Sequence, residues 1–211
     1  SAVLATAERR AYARVIVAGD ICFPGPEPLR TWRRLSQMNA VCVQGVGDRA
    51  LSMVDATTLH PRDEFERARL RRLLEVREEL GDALLRRIAK LPQIARQTLE
   101  GGRQLLVVHG SPVDPLEPMT HDMDETTLSE LLGQDPADLV VCGGSHVPFD
   151  RIVPRRVGTP GVPPATRVIN LGSVGEAPCG DEPPFAHATF VESTEDGIEV
   201  EQFVVPLGRA A

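Results

Sequence analysis

Three stretches decide the fold: Val15-Ile16-Val17-Ala18-Gly19-Asp20, Leu105-Leu106-Val107-Val108-His109-Gly110, and Leu139-Val140-Val141-Cys142-Gly143-Gly144-Ser145-His146. Each is a short apolar run of buried-strand type that breaks at glycine. Each also delivers one metal-ligand side chain where the strand runs out: Asp20, His109 and His146. In open α/β sheets, the carboxyl ends of the strands are where ligands bind. One carboxylate and two imidazoles on three strand ends suit a divalent metal better than they suit a core.

Working outward, helix and strand signals alternate. The opening decapeptide reads as a helix. It precedes an expected strand at 14–18, a helix at 27–38 with Pro28 in its first turn, and a strand at 41–44. Residues 62–91 form the longest helical stretch. Phe65, Leu70, Leu73, Leu74, Leu80, Leu84, Leu85, Ile88 and Leu91 recur there at helical spacing, Gly81 marks a break and Pro92 a stop. The opposite face is dense in Arg and Glu at three- and four-residue offsets, as on a solvated helix. A helix at 124–133 leads to a strand at 138–142. Strands are then expected at 151–153, 167–170, 186–192 and 198–205, with Pro/Gly-rich loops at 154–164 and 178–184. No repeat or linker divides the chain. It reads as one α/β (α+β) domain over 1–211, with two mixed sheets packed together and flanked by helices.

The chain has 211 residues and a formal net charge of −7. That length allows one domain with a sizeable core. The acidic balance argues against a general nucleic-acid or anionic-membrane binder. No apolar run approaches the ~20 residues of a membrane span. The four cysteines lack metal-finger spacing. Cys22, Cys42 and Cys142 sit in or beside apolar strands, so reduced buried thiols in a cytoplasmic protein are expected, with Cys179 the most exposed. Lys90 is the single lysine among the basic residues, a bias of coding.

The order and wording of these pieces resemble the calcineurin-like metallophosphoesterases, in particular their small bacterial single-domain phosphodiesterase branch. That family reads Asp-x-His, Gly-Asp, Gly-Asn-His-Asp, His-Gly and Gly-His-x-His in order. Here Gly19-Asp20 fits the second motif and Gly45-Val46-Gly47-Asp48-Arg49 stands where the third belongs. Val108-His109-Gly110-Ser111-Pro112 fits the fourth, and Gly143-Gly144-Ser145-His146 the fifth. Val168-Ile169-Asn170-Leu171-Gly172-Ser173-Val174-Gly175 resembles the turn that follows. The resemblance covers nearly the whole chain and implies a four-layer fold.

Carried over by position, the resemblance implies that Asp20 bridges two metals, that His109 is a second-metal ligand and that His146 is a first-metal ligand. Val46 stands for the family's Asn, Gly144 for its other second-metal His, and Gly47 for the His that helps to protonate the leaving group. Neither valine nor glycine has a side-chain donor. A full two-metal centre is therefore not expected; the implied cofactor is a divalent metal (Mn, Zn, Fe or Mg), one ion in place of two. No residue is assigned as catalytic. The first motif is absent, and Ser1 to Arg10 reads as the helix that follows it. The expectation is that residue 1 is not the natural start.

Simpler roles stand beside each assignment. Asp20 could cap its turn, His109 could bond within its own loop, and His146 has Ser145 and Asp150 nearby. Asp48 and Arg49 would contact substrate from the site loop, or form a solvent-facing ion pair. His60, His121 and His187 read as ordinary surface or core histidines. A Cys22–Cys142 thiolate pair is the remote alternative ligand set. The expected function is hydrolysis of a small phosphate ester by a partly degraded metal site. The alternative is a non-catalytic relative that binds a phosphate-bearing ligand or a protein partner, and a homo-oligomer built on the Arg/Glu-rich helices also stays open.

Overall fold

The computed structural model describes residues 2–10, 12–155, 160–177 and 183–207. Along them run α1 (Ala2–Glu8), β1 (Ile16–Val17), α2 (Pro28–Gln37), β2 (Val41–Cys42), α3 (Val46–Met53), α4 (Glu64–Ile88) and β3 (Ile94–Thr98). There follow β4 (Gln104–Val108), α5 (Glu125–Leu132), β5 (Leu139–Cys142), β6 (Phe149–Pro154), β7 (Ala165–Asn170), β8 (Phe185–Ser193) and β9 (Ile198–Pro206).

The apolar runs before His109 and Gly143 become the inner strands of a five-stranded mixed sheet, ordered β3-β4-β5-β7-β6. β4, β5 and β7 run parallel, with Leu105 opposite Leu139 and Leu139 opposite Arg167, while β3 and β6 close the edges antiparallel. Their carboxyl ends therefore lie at one edge. Two further ladders form beside this sheet: β1 with β2, parallel, and the β8–β9 hairpin.

Side chains alternate across each strand, and the alternation builds the layers. Leu106, Val108, Val140, Cys142 and Val168 pack on one side against Leu128, Leu131 and Leu132 of α5. Leu105, Val107, Leu139, Val141 and Ile169 pack on the other side against Ile16, Ala18 and Val43, and against Val191, Ile198 and Val200 of the hairpin. Val17 and Cys42 face away from that interface, onto Trp32 of α2, Leu51 of α3, and Leu73, Val76, Leu80 and Ile88 of α4. The result is four layers: helices, the β1–β2 and β8–β9 ladders, the five-stranded sheet, and α5.

Local signals set most boundaries. Pro28 opens α2, where its missing N–H costs nothing. The Asp63 carboxylate accepts the Glu66 N–H at 2.8 Å to cap α4, and Asp124 accepts the Thr127 N–H at 2.7 Å to cap α5. α4 breaks at Gly81, whose φ of 69° and ψ of 163° leave the helix, as its glycine suggested.

Three findings depart from the sequence reading. The expected layer of one continuous second sheet is two separate ladders among the described residues. Ile94–Thr98 is a strand although its sequence carries Arg96 and Gln97, because it is an edge strand with one side in water. The segment expected as a site loop is the helix α3. Cys179, and parts of the two Pro/Gly-rich loops, lie outside the described residues. No described helix is long and apolar enough to cross a membrane.

Candidate metal centre

The turn after β1 is built from left-handed backbone. Gly19 has φ of 89° and Asp20 has φ of 53°, a conformation that costs about 1–2 kcal/mol for a residue with a Cβ. The neighbouring strand exit leaves no room for larger groups. A Cβ on Gly45 would lie 2.2 Å from Asp20 Oδ1, and one on Gly19 would lie 2.6 Å from His109 Nδ1. Two glycines thus let Asp20, His109 and the start of α3 meet.

α3 begins Gly-Val-Gly, a poor helical sequence, so other groups must hold it. Asp48 provides the hold from within. It is fully buried. Its Oδ1 accepts the Ile21 N–H at 3.0 Å, and its Oδ2 accepts the Gly45 N–H at 3.0 Å. One carboxylate therefore ties the Asp20 turn to the helix start. Burial pushes its pKa from the usual 3.8 up to about 6, with the Asp20 charge adding and the Gly45 and Ile21 N–H groups opposing. At the far end, the Arg77 guanidinium of α4 donates to the Ala50, Leu51 and Val54 carbonyls. The first turn of α3 then presents the Gly47 N–H to Asp20 Oδ1 at 2.7 Å.

The sequence reading set Asp48 at substrate; in the structure it has no face open to solvent, and both of its oxygens accept from backbone N–H groups. Arg49, its neighbour, is exposed and makes no ion pair with it.

His109 leaves β4 buried at 4% exposure. Its Nδ1 lies 2.7 Å from the Ala18 carbonyl, and a carbonyl only accepts, so Nδ1 carries the hydrogen. Nε2 is then the atom turned to Asp20 Oδ2, 3.7 Å away. That is too long for a hydrogen bond. It is close to the ~3–3.5 Å that separates two ligand atoms sharing one ion with bonds of about 2.0–2.2 Å. The outer N–H on a backbone carbonyl is the arrangement that orients an imidazole for metal ligation.

His146 stands apart from this pair. Its loop is fastened by the Gly143 and Gly144 N–H groups, which donate to the His109 carbonyl at 3.0 and 2.9 Å. His146 itself is half-buried with φ of 61°. Among the described residues, no three or more His, Cys, Asp and Glu side chains converge closely enough to hold a metal ion. Asp20 and His109 thus fit a divalent ion as two ligands, and the described residues supply no third beside them. Gly144 marks where a third could stand: a Cβ there would be 3.4 Å from His109 Nε2. Burial pushes the Cys22 and Cys142 thiols up to about 12, and among the described residues neither belongs to a group of side chains that could hold a metal ion.

Asn170 is a site-shaping residue to which the sequence reading gave no role. Fully buried at the end of β7, it donates to the Gly143 carbonyl at 3.4 Å and Ser145 Oγ at 3.0 Å, and accepts the Gly172 N–H at 2.9 Å. Its place in the Asn-Leu-Gly-Ser turn was the available signal. His187 packs edge-on against Phe185 and under Gly172, a local structural role. His60 and His121 are exposed.

The chain is similar to a hypothetical protein of Pyrococcus horikoshii OT3, with TM-score 0.72 at 18% identity over 99% of this chain and 84% of that one. It is also similar to a metallophosphoesterase of Sphaerobacter thermophilus, with TM-score 0.66 at 18% identity over 96% and 82%. At such identity these likenesses speak for the fold alone. No curated protein sequence matches. Residues 1–193 match the calcineurin-like phosphoesterase superfamily domain, and with that match over most of its length the chain belongs to that superfamily.

Proposed function

We propose that the protein is a metal-dependent phosphoesterase for small phosphate esters, working through one weakly held divalent ion. The observation that supports it most is the pair of His109 Nε2 and Asp20 Oδ2, facing across 3.7 Å. With the hydrogen on Nδ1 both atoms present lone pairs, and among the described residues no hydrogen bond is made to either. A second support is strain: among the described non-glycine residues only Asp20, Asn39 and His146 have positive φ. Two of these are strand-end ligand candidates, and retained strain of this kind clusters at functional sites.

When bound, a divalent ion supplies Lewis-acid polarisation of a phosphate oxygen. The chain's own residues set the rest. Ala18 fixes the His109 ring, Gly47 orients Asp20, and Asp48 ties the Asp20 turn to the start of α3. His146 follows on the loop that the Gly143 and Gly144 N–H groups fasten to the His109 carbonyl. Val46, half-exposed at 50%, and Gly47 contribute no proton donor, so turnover is slow; a positioned general acid contributes about 10²–10⁴-fold.

The non-catalytic reading is favoured by Val46 and Gly144, where donors are absent. One experiment separates the two: manganese stoichiometry and hydrolysis of bis(4-nitrophenyl) phosphate, in the unmodified protein and in Val46→Asn/Gly144→His. The proposal expects slow, manganese-dependent hydrolysis that disappears in His109→Ala and rises in the double variant. Hydrolysis absent from both proteins, with metal gained in the double variant, would support the non-catalytic reading instead.

A further inference from the structure

Arg69 is unlike its neighbours on α4. Arg72 donates to the Pro24 and Gly25 carbonyls, Arg77 to three carbonyls of the α3 end, and Arg67 and Arg71 to Glu64. Arg69 has no hydrogen-bond partner among the described residues. Its guanidinium stands 5.2 Å from the Phe23 ring centre and 5.8 Å from that of Phe65, within cation–π range. Among the described residues it makes one ion pair, with Glu176 at 3.6 Å, just beyond hydrogen-bonding reach. A guanidinium with its donors unspent, resting on aromatic faces, is free to take two oxygens of one anion in two-pronged fashion.

The position is what gives this meaning. Phe23 borders Gly47: a Cβ on Gly47 would lie 3.3 Å from the Phe23 ring and 3.2 Å from Asp20 Oδ1. Arg69 therefore stacks on the ring that walls the Asp20 turn. Glu176 comes from the loop after β7, which leaves the same strand edge as His109 and Gly143. The Arg69–Glu176 contact thus spans from the helical layer to the β7 exit, beside the candidate metal centre.

Resting on the phosphoesterase reading above, we infer that Arg69 is the specificity-determining residue that grips the phosphate oxygens of the substrate. Glu176 is its placeholder: it holds the guanidinium beside the Phe23 ring at the Asp20 turn and is displaced when phosphate arrives. Removing Glu176 then frees Arg69 and tightens anion binding, whereas removing Arg69 weakens it.

The test is calorimetric titration of inorganic phosphate into the manganese-supplemented protein. Arg69→Gln should weaken phosphate binding about tenfold, the size of one exposed charge-assisted contact, and Glu176→Gln should tighten it about threefold. Arg71→Gln, which removes the same charge from a guanidinium engaged with Glu64, should leave phosphate affinity within twofold. Opposite shifts in two surface variants cannot arise from unfolding. The inference is overturned if Arg69→Gln binds phosphate as the unmodified protein does. It is equally overturned if Arg69→Gln and Arg71→Gln weaken binding alike, or if the unmodified protein binds no phosphate. Manganese binding, measured in the same samples, reports separately on Asp20 and His109: its retention alongside unaltered phosphate binding in Arg69→Gln would sink this inference and leave the metal-centre reading standing.

Discussion

The two sides of the strand edge are built to different tolerances. Around Asp20, every atom is placed: Asp48 ties two backbone N–H groups, Gly47 supplies a third to Asp20, and a Cβ on Gly45 would collide at 2.2 Å. Around His146, the loop is pinned by its backbone and by Asn170, while a Cβ on Gly144 would meet neighbours at no less than 3.2 Å. One corner is preorganised and intolerant; the other is less tight, and its neighbours need give by only a few tenths of an ångström. The facing Asp20 and His109 side chains belong to the first of these corners.

The sharpest contrast is between two glycines. Gly45→Ala should lower stability by about 3 kcal/mol, at the high end for overpacking, because backbone and a carboxylate lie in the way. Gly144→Ala should cost under about 1 kcal/mol. Urea unfolding of both variants checks this, and equal costs would erase the distinction between the corners.

Acidity probes the same corner. Because the folded-state pKa of Asp48 is raised from 3.8 to about 6, the folded chain binds this proton more tightly than the unfolded chain. The stabilising contribution is complete below 3.8 and is lost as pH rises through about 6. The shift corresponds to about 3 kcal/mol. Relative to Asp48→Asn, which does not titrate, the unmodified protein should gain stability on acidification across that window. A constant difference would mean that Asp48 is not buried as described. At pH 7, Asp48→Ala should still cost about 2 kcal/mol, since two buried N–H groups lose their acceptor while a buried charge is removed.

The smallest effect belongs to the less tight corner. His146→Gly should raise stability by about 1 kcal/mol, because φ of 61° suits glycine. A loss of stability would show that the His146 side chain has a structural partner, and strain would no longer argue for function.

How much of this the sequence carries differs by region for physical reasons. The inner strands and α4 are legible because burial on both faces, or on one helical stripe, leaves its period in the residues. Gln104–Val108 and the Gly81 break follow from that directly. α3 is not legible, because Val46 and Gly47 are poor helix formers and the helix depends on Asp48 and Arg77, contacts 27 or so residues apart in sequence. For the same reason, Asp48 reads as a solvated or substrate-facing carboxylate when it is a buried brace. The strand-end places of Asp20 and His109 were readable, whereas their 3.7 Å approach, with His146 outside it, depends on how two layers are set against each other.

Manganese titration, followed by calorimetry in the unmodified protein, Asp20→Ala and His109→Ala, tests the central claim most directly. The account predicts at most one ion per chain, weakly held and lost in both variants. Two tightly held ions per chain, or one ion that survives both substitutions, would contradict it.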